Sequence, residues 1–126
     1  MKKRHQKIVT SFIMLLAVAT SAEALEVKSQ TWGERVGEKQ VFEDFGCTGK
    51  NLSPDLSWSG APKETKSYAI MLHDPDAPTG SGWWHWIVYN IPLSKTSLKE
   101  GFGRYKVHNL KGDIKQNKND YGYHGY

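Results

Sequence analysis

The stretch M-L-H-D-P-D-A-P-T-G-S-G-W-W-H-W-I-V-Y-N-I-P, residues Met71–Pro92, decides how the rest of the chain is read. Two apolar runs, Tyr68–Leu72 and Trp86–Ile91, flank a loop dense in turn formers. Tyr, Ile, Val and Trp suit a pleated, half-buried surface, whereas Pro, Gly, Asp and Ser suit turns, so the spacing predicts strand, functional loop, strand. The loop concentrates Asp74, Asp76, His73 and His85 among Trp83, Trp84 and Trp86. Pro75 and Pro78 fix their own φ angles and push the preceding residues toward extended geometry. A stiff polar loop between apolar strands is a place where a ligand site is built. In so tight a loop a cis bond at Asp74-Pro75 or Ala77-Pro78 is compatible with the sequence.

Upstream, Lys2, Lys3, Arg4 and Lys7 precede the apolar run Ile8–Ala19, and Ala22 and Ala24 form a small-residue exit. A basic head, a short apolar middle and an A-x-A site together read as a secretory signal peptide over residues 1–24. The apolar run is shorter than the ~20 residues a bilayer span needs, so no lasting membrane anchor is expected. The expected location is the periplasm or the exterior. The leader also holds much of the excess charge: the chain's +4 falls to +1, 13 cations against 12 acids, over residues 25–126. Nucleic-acid binding, which requires a basic surface, loses its support, and Lys106, Lys111, Lys115 and Lys118 read as a solvated cluster.

Residues 25–126 are one small domain with little margin for lost elements. Leu25–Lys28 alternates as a half-buried strand does, Gln40–Glu43 is a second weak strand, and Leu56 and Trp58 alternate in a third. Asn51 and Ser53 suit a side-chain-supported turn; their match to a glycosylation sequon carries little weight behind a bacterial-type leader. No helical period of useful length appears, and Leu98–Tyr126 reads as a long loop with one short strand or helical turn. Cys47 is the only cysteine. In an oxidising compartment it is a thiol lacking its partner, half of an intermolecular bridge that makes a dimer, or a buried small apolar residue.

The motifs D-P-D-A-P and G-S-G-W-W-H-W-x-V-x-N-I-P resemble the signature of the phosphatidylethanolamine-binding protein family, in its bacterial Raf kinase inhibitor-like branch. Phe45-Gly46-Cys47, Asn51–Gly60 and, more weakly, Asn119-Asp120-Tyr121-Gly122 extend the resemblance from about Leu25 onward. The resemblance implies a mainly β, antiparallel two-sheet fold, incomplete at its C-terminus. Relatives continue past the point matching Tyr126 into a Gly/Pro-rich turn, a strand with a second pocket histidine and a helix. A second cysteine that would pair with Cys47 also lies there in secreted relatives. On that reading Gly122–Tyr126 is a pocket rim left as a frayed terminus.

The resemblance further implies a non-enzymatic binding module without cofactor or metal, whose ligand-binding residues are Asp74, Pro75, Trp84, His85 and Tyr126. Its partner would be a small phosphate- or carboxylate-bearing ligand or a protein. From the residues alone, His85 between Trp84 and Trp86 reads first as a structural histidine. A nearby carboxylate can raise an imidazole's pKa and fix its tautomer, which gives Asp74 the role of holding His85 charged toward an anion. Asp76 reads as a turn stabiliser, and His73 as pointing away from Asp74. Two alternatives stay open. One is a truncated, functionally degenerate family member. The other is a secreted metal-binding protein or hydrolase using the same loop, although His73, Asp74, Asp76 and His85 match no strong ligand spacing and Gly80-Ser81-Gly82 is not a nucleophile elbow.

Overall fold

The structure, a computed structural model, describes residues 24–126, so the leader read over residues 1–24 lies outside the described residues except for Ala24. Six strands follow in order: β1 Glu26–Lys28, β2 Leu56–Ser59, β3 Ser67–Asp74, β4 Trp83–Pro92, β5 Ser97–Leu98 and β6 Lys115–Gln116. They form two three-stranded sheets, β1-β2-β5 and β3-β4-β6, antiparallel throughout. The chain is mainly β, as its turn-rich, non-helical pattern leads one to expect, and no helix occurs among the described residues.

The β3–β4 hairpin is the backbone of the molecule, and its register contains two irregularities. Tyr68 pairs with Ile91 but Ile70 pairs with Val88, so β4 carries one extra residue there. Asn90 takes that bend at φ 64°, a left-handed conformation that asparagine tolerates better than most residues. The bulge keeps Tyr68, Ile70 and Leu72 on the same face as Trp86, Val88 and Ile91, despite the offset spacing in β4. A second shift falls between Leu72↔Trp86 and His73↔Trp84, and it leaves His85 as the residue without a cross-strand partner.

The core joins Trp58 and Leu98 of the first sheet to Trp86, Val88 and Ile91 of the second, with Ile114 and Tyr126 from the long C-terminal segment. Trp58 meets Tyr68 edge-on, ring centroids 5.3 Å apart, which ties sheet to sheet. Trp86 is fully buried, and its indole N–H donates to Gln116 Oε1 at 2.7 Å. Its ring lies against Gly103, where an added Cβ would come within 2.7 Å of the indole. Gly103 is therefore a space requirement, the counterpart of the largest core side chain.

Four expectations need correction. Gln40–Glu43 is not a strand. It belongs to a loop closed by long-range bonds, with Asn51 N–H donating to the Val41 carbonyl and Leu52 N–H to that of Lys39. β1 forms at the expected place but is not half-buried: all three of its residues are exposed, Val27 at 58%. Asn51 and Ser53 do not support a local turn. Asn51 Nδ2 donates to the Tyr126 carbonyl at 2.9 Å, and Ser53 Oγ accepts from Gly103 N–H at 2.7 Å, so both fasten later chain. The turn stabiliser nearby is Asp55, whose carboxylate accepts from Ser29 Oγ, Gln30 N–H, Thr31 N–H and Thr31 Oγ1.

The fourth correction concerns Gly122–Tyr126, read as frayed. Tyr126 is buried, its hydroxyl donating to the Gln40 carbonyl at 2.8 Å and its N–H to the Gly103 carbonyl. Asn119 anchors the segment from the other side. Its Nδ2 donates to the carbonyls of His85 and Gly125, and its Oδ1 accepts from the Tyr121 and Tyr123 N–H groups. Backbone polar groups that leave water must find partners, and this segment finds them without joining a sheet.

Candidate functional site

The loop after β3 is held by its own first residue. Asp74 Oδ1 accepts the Asp76 N–H at 2.9 Å, so Asp74 supports the turn and Asp76 is the residue supported, the reverse of the expectation. Thr79 Oγ1 donates to the Gly82 carbonyl, and His73 Nε2 lies 3.1 Å from the Ser81 carbonyl. Gly82, at φ +76°, closes the loop where any Cβ would strike the His73 ring and the Asp74 carbonyl. All described peptide bonds are trans, including those before Pro75 and Pro78.

Across β4 the side chains divide. His73 and Trp84 share one face, their rings 4.3 Å apart. Asp74 pairs with Trp83, and both border a shallow recess with His85 and Tyr121. The bulge at His85 turns its ring to that same side, where it meets Tyr121 edge-on at 5.8 Å. Trp84 is not among the residues lining either of the two cavities that His85 borders, whereas Trp83 borders the shallow recess. A bulge shifts side-chain alternation by one, so counting alternate residues from Trp86 puts Trp84 and His85 on the wrong faces.

His85, Asp74, Pro75 and Tyr126 line one cavity of about 520 Å³. Its walls are aromatic and aliphatic, including Trp32, Val41, Phe42 and Tyr121, with Gln40 and Asn51 among its polar groups. Phe42 stacks on Tyr121, ring centroids 4.0 Å apart, so the loop expected to be a weak strand supplies one wall. Cys47, a free and exposed thiol, sits at the same cavity. The Trp83 indole N–H, bordering the adjoining recess, is buried without an acceptor.

Burial governs the protonation of His85. Desolvation lowers its pKa below the ordinary 6.5; the Asp74 and Asp120 carboxylates pull upward less strongly, and His73 adds to the lowering. Burial thus favours the neutral imidazole and works against the charge that Asp74 supports. Asp120 Oδ2 meanwhile accepts the Trp84 N–H at 2.8 Å, and the Asp120 N–H donates to the Trp84 carbonyl. Burial likewise raises the pKa of Tyr121, Tyr123 and Tyr126, which keeps these phenols protonated as hydrogen-bond donors. Among the described residues no three His, Cys, Asp or Glu side chains gather to hold a metal; His73 lines the cavity beside Asp74 and His85, and Asp76 does not.

The cavity residues that residue-by-residue reading passed over are Gln40, Phe42, Asn51 and Tyr121. A signal for the last was present in Asn119-Asp120-Tyr121-Gly122. For Gln40 and Phe42 none was, because they reach the site through a loop with no periodic pattern.

A model of the phosphatidylethanolamine-binding protein family matches residues 30–126, a span containing the whole cavity. The chain belongs to the phosphatidylethanolamine-binding protein family. Similar relatives include YbcL of Escherichia coli K12, 45% identical over 121 residues that make up 94% of this chain and 66% of YbcL. YbhB of the same organism is 44% identical over 75% of this chain and 59% of its own length. The crystal structure of YbcL, described as a new member of the mammalian family, superposes with a TM-score of 0.76 at 48% identity, covering 81% of this chain and 63% of YbcL. A homologue from Chlamydia trachomatis, CT736, gives 0.56 at 29% identity. The chain thus spans a little under two thirds of the length of these bacterial relatives.

Proposed function

We propose that this family member is an exported, non-enzymatic binding module that takes a phosphate- or carboxylate-bearing ligand, free or displayed on a partner protein, in the cavity at His85. The observation that carries the reading is the composition of that cavity. An imidazole and a carboxylate lie within apolar, aromatic walls, the pattern of a site that orients a polar head and buries a nonpolar remainder; the Gln40 and Asn51 amides beside them already donate to Glu100 and to the Tyr126 carbonyl. Export rests on the leader pattern in residues 1–24. Tyr126 contributes wall more than donor, since its hydroxyl is already committed to the Gln40 carbonyl.

The lowered pKa of His85 sets the pH dependence. A bound anion favours the imidazolium, so His85 has a higher pKa in the complex than in the free protein. Between those two values the complex holds more protons, and affinity rises as pH falls. Phenyl phosphate is a suitable probe, with phenyl sulfate as a control because a phosphate monoester itself titrates near pH ~6. Calorimetric titration should show both binding more tightly at pH 5.5 than at pH 7.5. His85→Ala should weaken both by roughly tenfold or more, the worth of a charge-assisted hydrogen bond. Equal affinity in wild type and His85→Ala, or a flat pH profile with phenyl sulfate, would falsify the reading.

A further inference from the structure

Away from the cavity, two histidines from separate segments converge on one backbone oxygen. His108 Nδ1 lies 2.7 Å and His124 Nδ1 2.8 Å from the Gln116 carbonyl oxygen, and the two nitrogens are 3.2 Å apart. Neither ring takes part in the site at His85. We propose that His108 Nδ1, His124 Nδ1 and the Gln116 carbonyl form a binding site for one divalent first-row transition ion, with copper(II) held most tightly.

The distances suit it. With both nitrogens at the ~2.1 Å usual for imidazole ligation, a 3.2 Å separation subtends about 100° at the ion. The carbonyl oxygen at a similar radius subtends about 80° with each nitrogen. These are three neighbouring positions of a tetragonal or octahedral sphere, with water completing it. Two imidazoles and an oxygen in that arrangement suit copper(II) or nickel(II) better than calcium or magnesium. No third His, Cys, Asp or Glu side chain joins them among the described residues, and Lys106, Lys115 and Lys118 lie close by in sequence. Only ions with a strong preference for imidazole overcome that setting.

The frame is rigid where it must be. Gln116 is fully buried, and its side chain bonds the Trp86 indole and the carbonyls of Arg104 and Val107, so its carbonyl has a fixed position. His108 and His124 flank β6 on the two sides in sequence: the Gln116 N–H donates to the His108 carbonyl, and His124 forms a bridge with Lys118. His108 is exposed and His124 half-buried, which leaves an approach for an ion. Without an ion, the carbonyl's two lone pairs accept an N–H from each ring. On binding, each Nδ1 gives up its proton to the solvent or to its own Nε2, and two hydrogen bonds are exchanged for three ligand bonds.

The test uses the full chain purified without a histidine tag, at pH 7.5. Copper sulfate and nickel chloride are added in steps while the histidine ring signals are followed by NMR. At less than one equivalent of either ion the signals of His108 and His124 should broaden before those of His5, His73 and His85. Isothermal titration should give one ion per chain, and His108→Gln and His124→Gln should each weaken it at least about 10-fold, since losing a direct ligand costs no less than disturbing a residue that supports one. Earlier broadening at another histidine, no binding with ion at millimolar concentration, or unchanged affinity in both variants overturns the proposal. The wild-type broadening decides it even if a variant fails to fold.

Discussion

Gln116 carries more of the structure than its side chain advertises. It is wholly buried, and its three polar side-chain bonds tie two segments together: Trp86 on β4, and Arg104 and Val107 on the loop before β6. Replacing it with methionine keeps the volume but leaves the Trp86 N–H and the Val107 carbonyl without their partner, while the Arg104 carbonyl keeps the Val107 N–H. Each group abandoned out of water costs roughly 1–3 kcal/mol. Gln116→Met should therefore destabilise the protein by about 3 kcal/mol in urea, with the m-value unchanged. A loss below about 1 kcal/mol would show that water reaches these groups and that the residue is a filler. Sequence pattern could not single out Gln116, since a glutamine in a polar, glycine-rich stretch gives no sign of burial. His85 shows the other limit. Its setting among tryptophans after D-P-D-A-P singled it out, and it lines the cavity, but the burial that lowers its pKa was not legible, because desolvation depends on walls contributed by distant residues.

At the scale of elements, strands were readable and loops were not. Tyr68–Leu72 and Trp86–Ile91 announce β3 and β4 through β-branched and aromatic residues, and the structure extends both by a few residues. The bulges at Asn90 and His85 erase strict alternation, which is why Trp83, and not Trp84, borders the recess with His85. The segment Ser29–Thr31 is ordered from afar by the Asp55 carboxylate, whose pKa is held down at about 2 by the Thr31 hydroxyl first and the Gln30 and Thr31 N–H groups after it. The sign follows from which state binds protons first. The unfolded carboxyl titrates near its ordinary 3.8, so this contribution is complete above that value and disappears as pH falls toward 2. Asp55→Asn should lower stability at pH 7 by no more than about 1 kcal/mol, because solvent screens a carboxylate so near the surface. The gap between variant and wild type should close on titration from pH 4 to pH 2. A gap that stays constant over that range would assign the effect to packing.

For the whole molecule, the question is whether two sheets of three short strands hold as one body. The strands alone give little: β5 and β6 have two residues each, and β1 is wholly exposed. What unites the sheets is the long irregular segment after β5, which sends Ile114 and Tyr126 into a core shared by Trp58, Leu98, Trp86, Val88 and Ile91. Composition could not reveal this. Leu98–Tyr126 has few apolar residues, and Leu98, Phe102, Leu110, Ile114 and Tyr126 are aimed inward while Tyr105 is exposed. Tyr126 is the clearest instance, since it touches Gln40 through its hydroxyl, Gly103 through its N–H, Asn51 through its carbonyl and Trp86 through its ring at 6.1 Å. If that segment is integral, unfolding is a single event. Tryptophan fluorescence and far-UV circular dichroism should then report the same midpoint, as two-state behaviour requires. Tyr126→Phe, which removes only the bond to the Gln40 carbonyl, should cost about 1 kcal/mol and move both midpoints down together by about 4–8 °C. Separate midpoints, or a Tyr126→Phe shift confined to one probe, would mean that the β3–β4 hairpin and the C-terminal segment unfold independently. The cavity at His85, built from both, would then exist only while they remain docked.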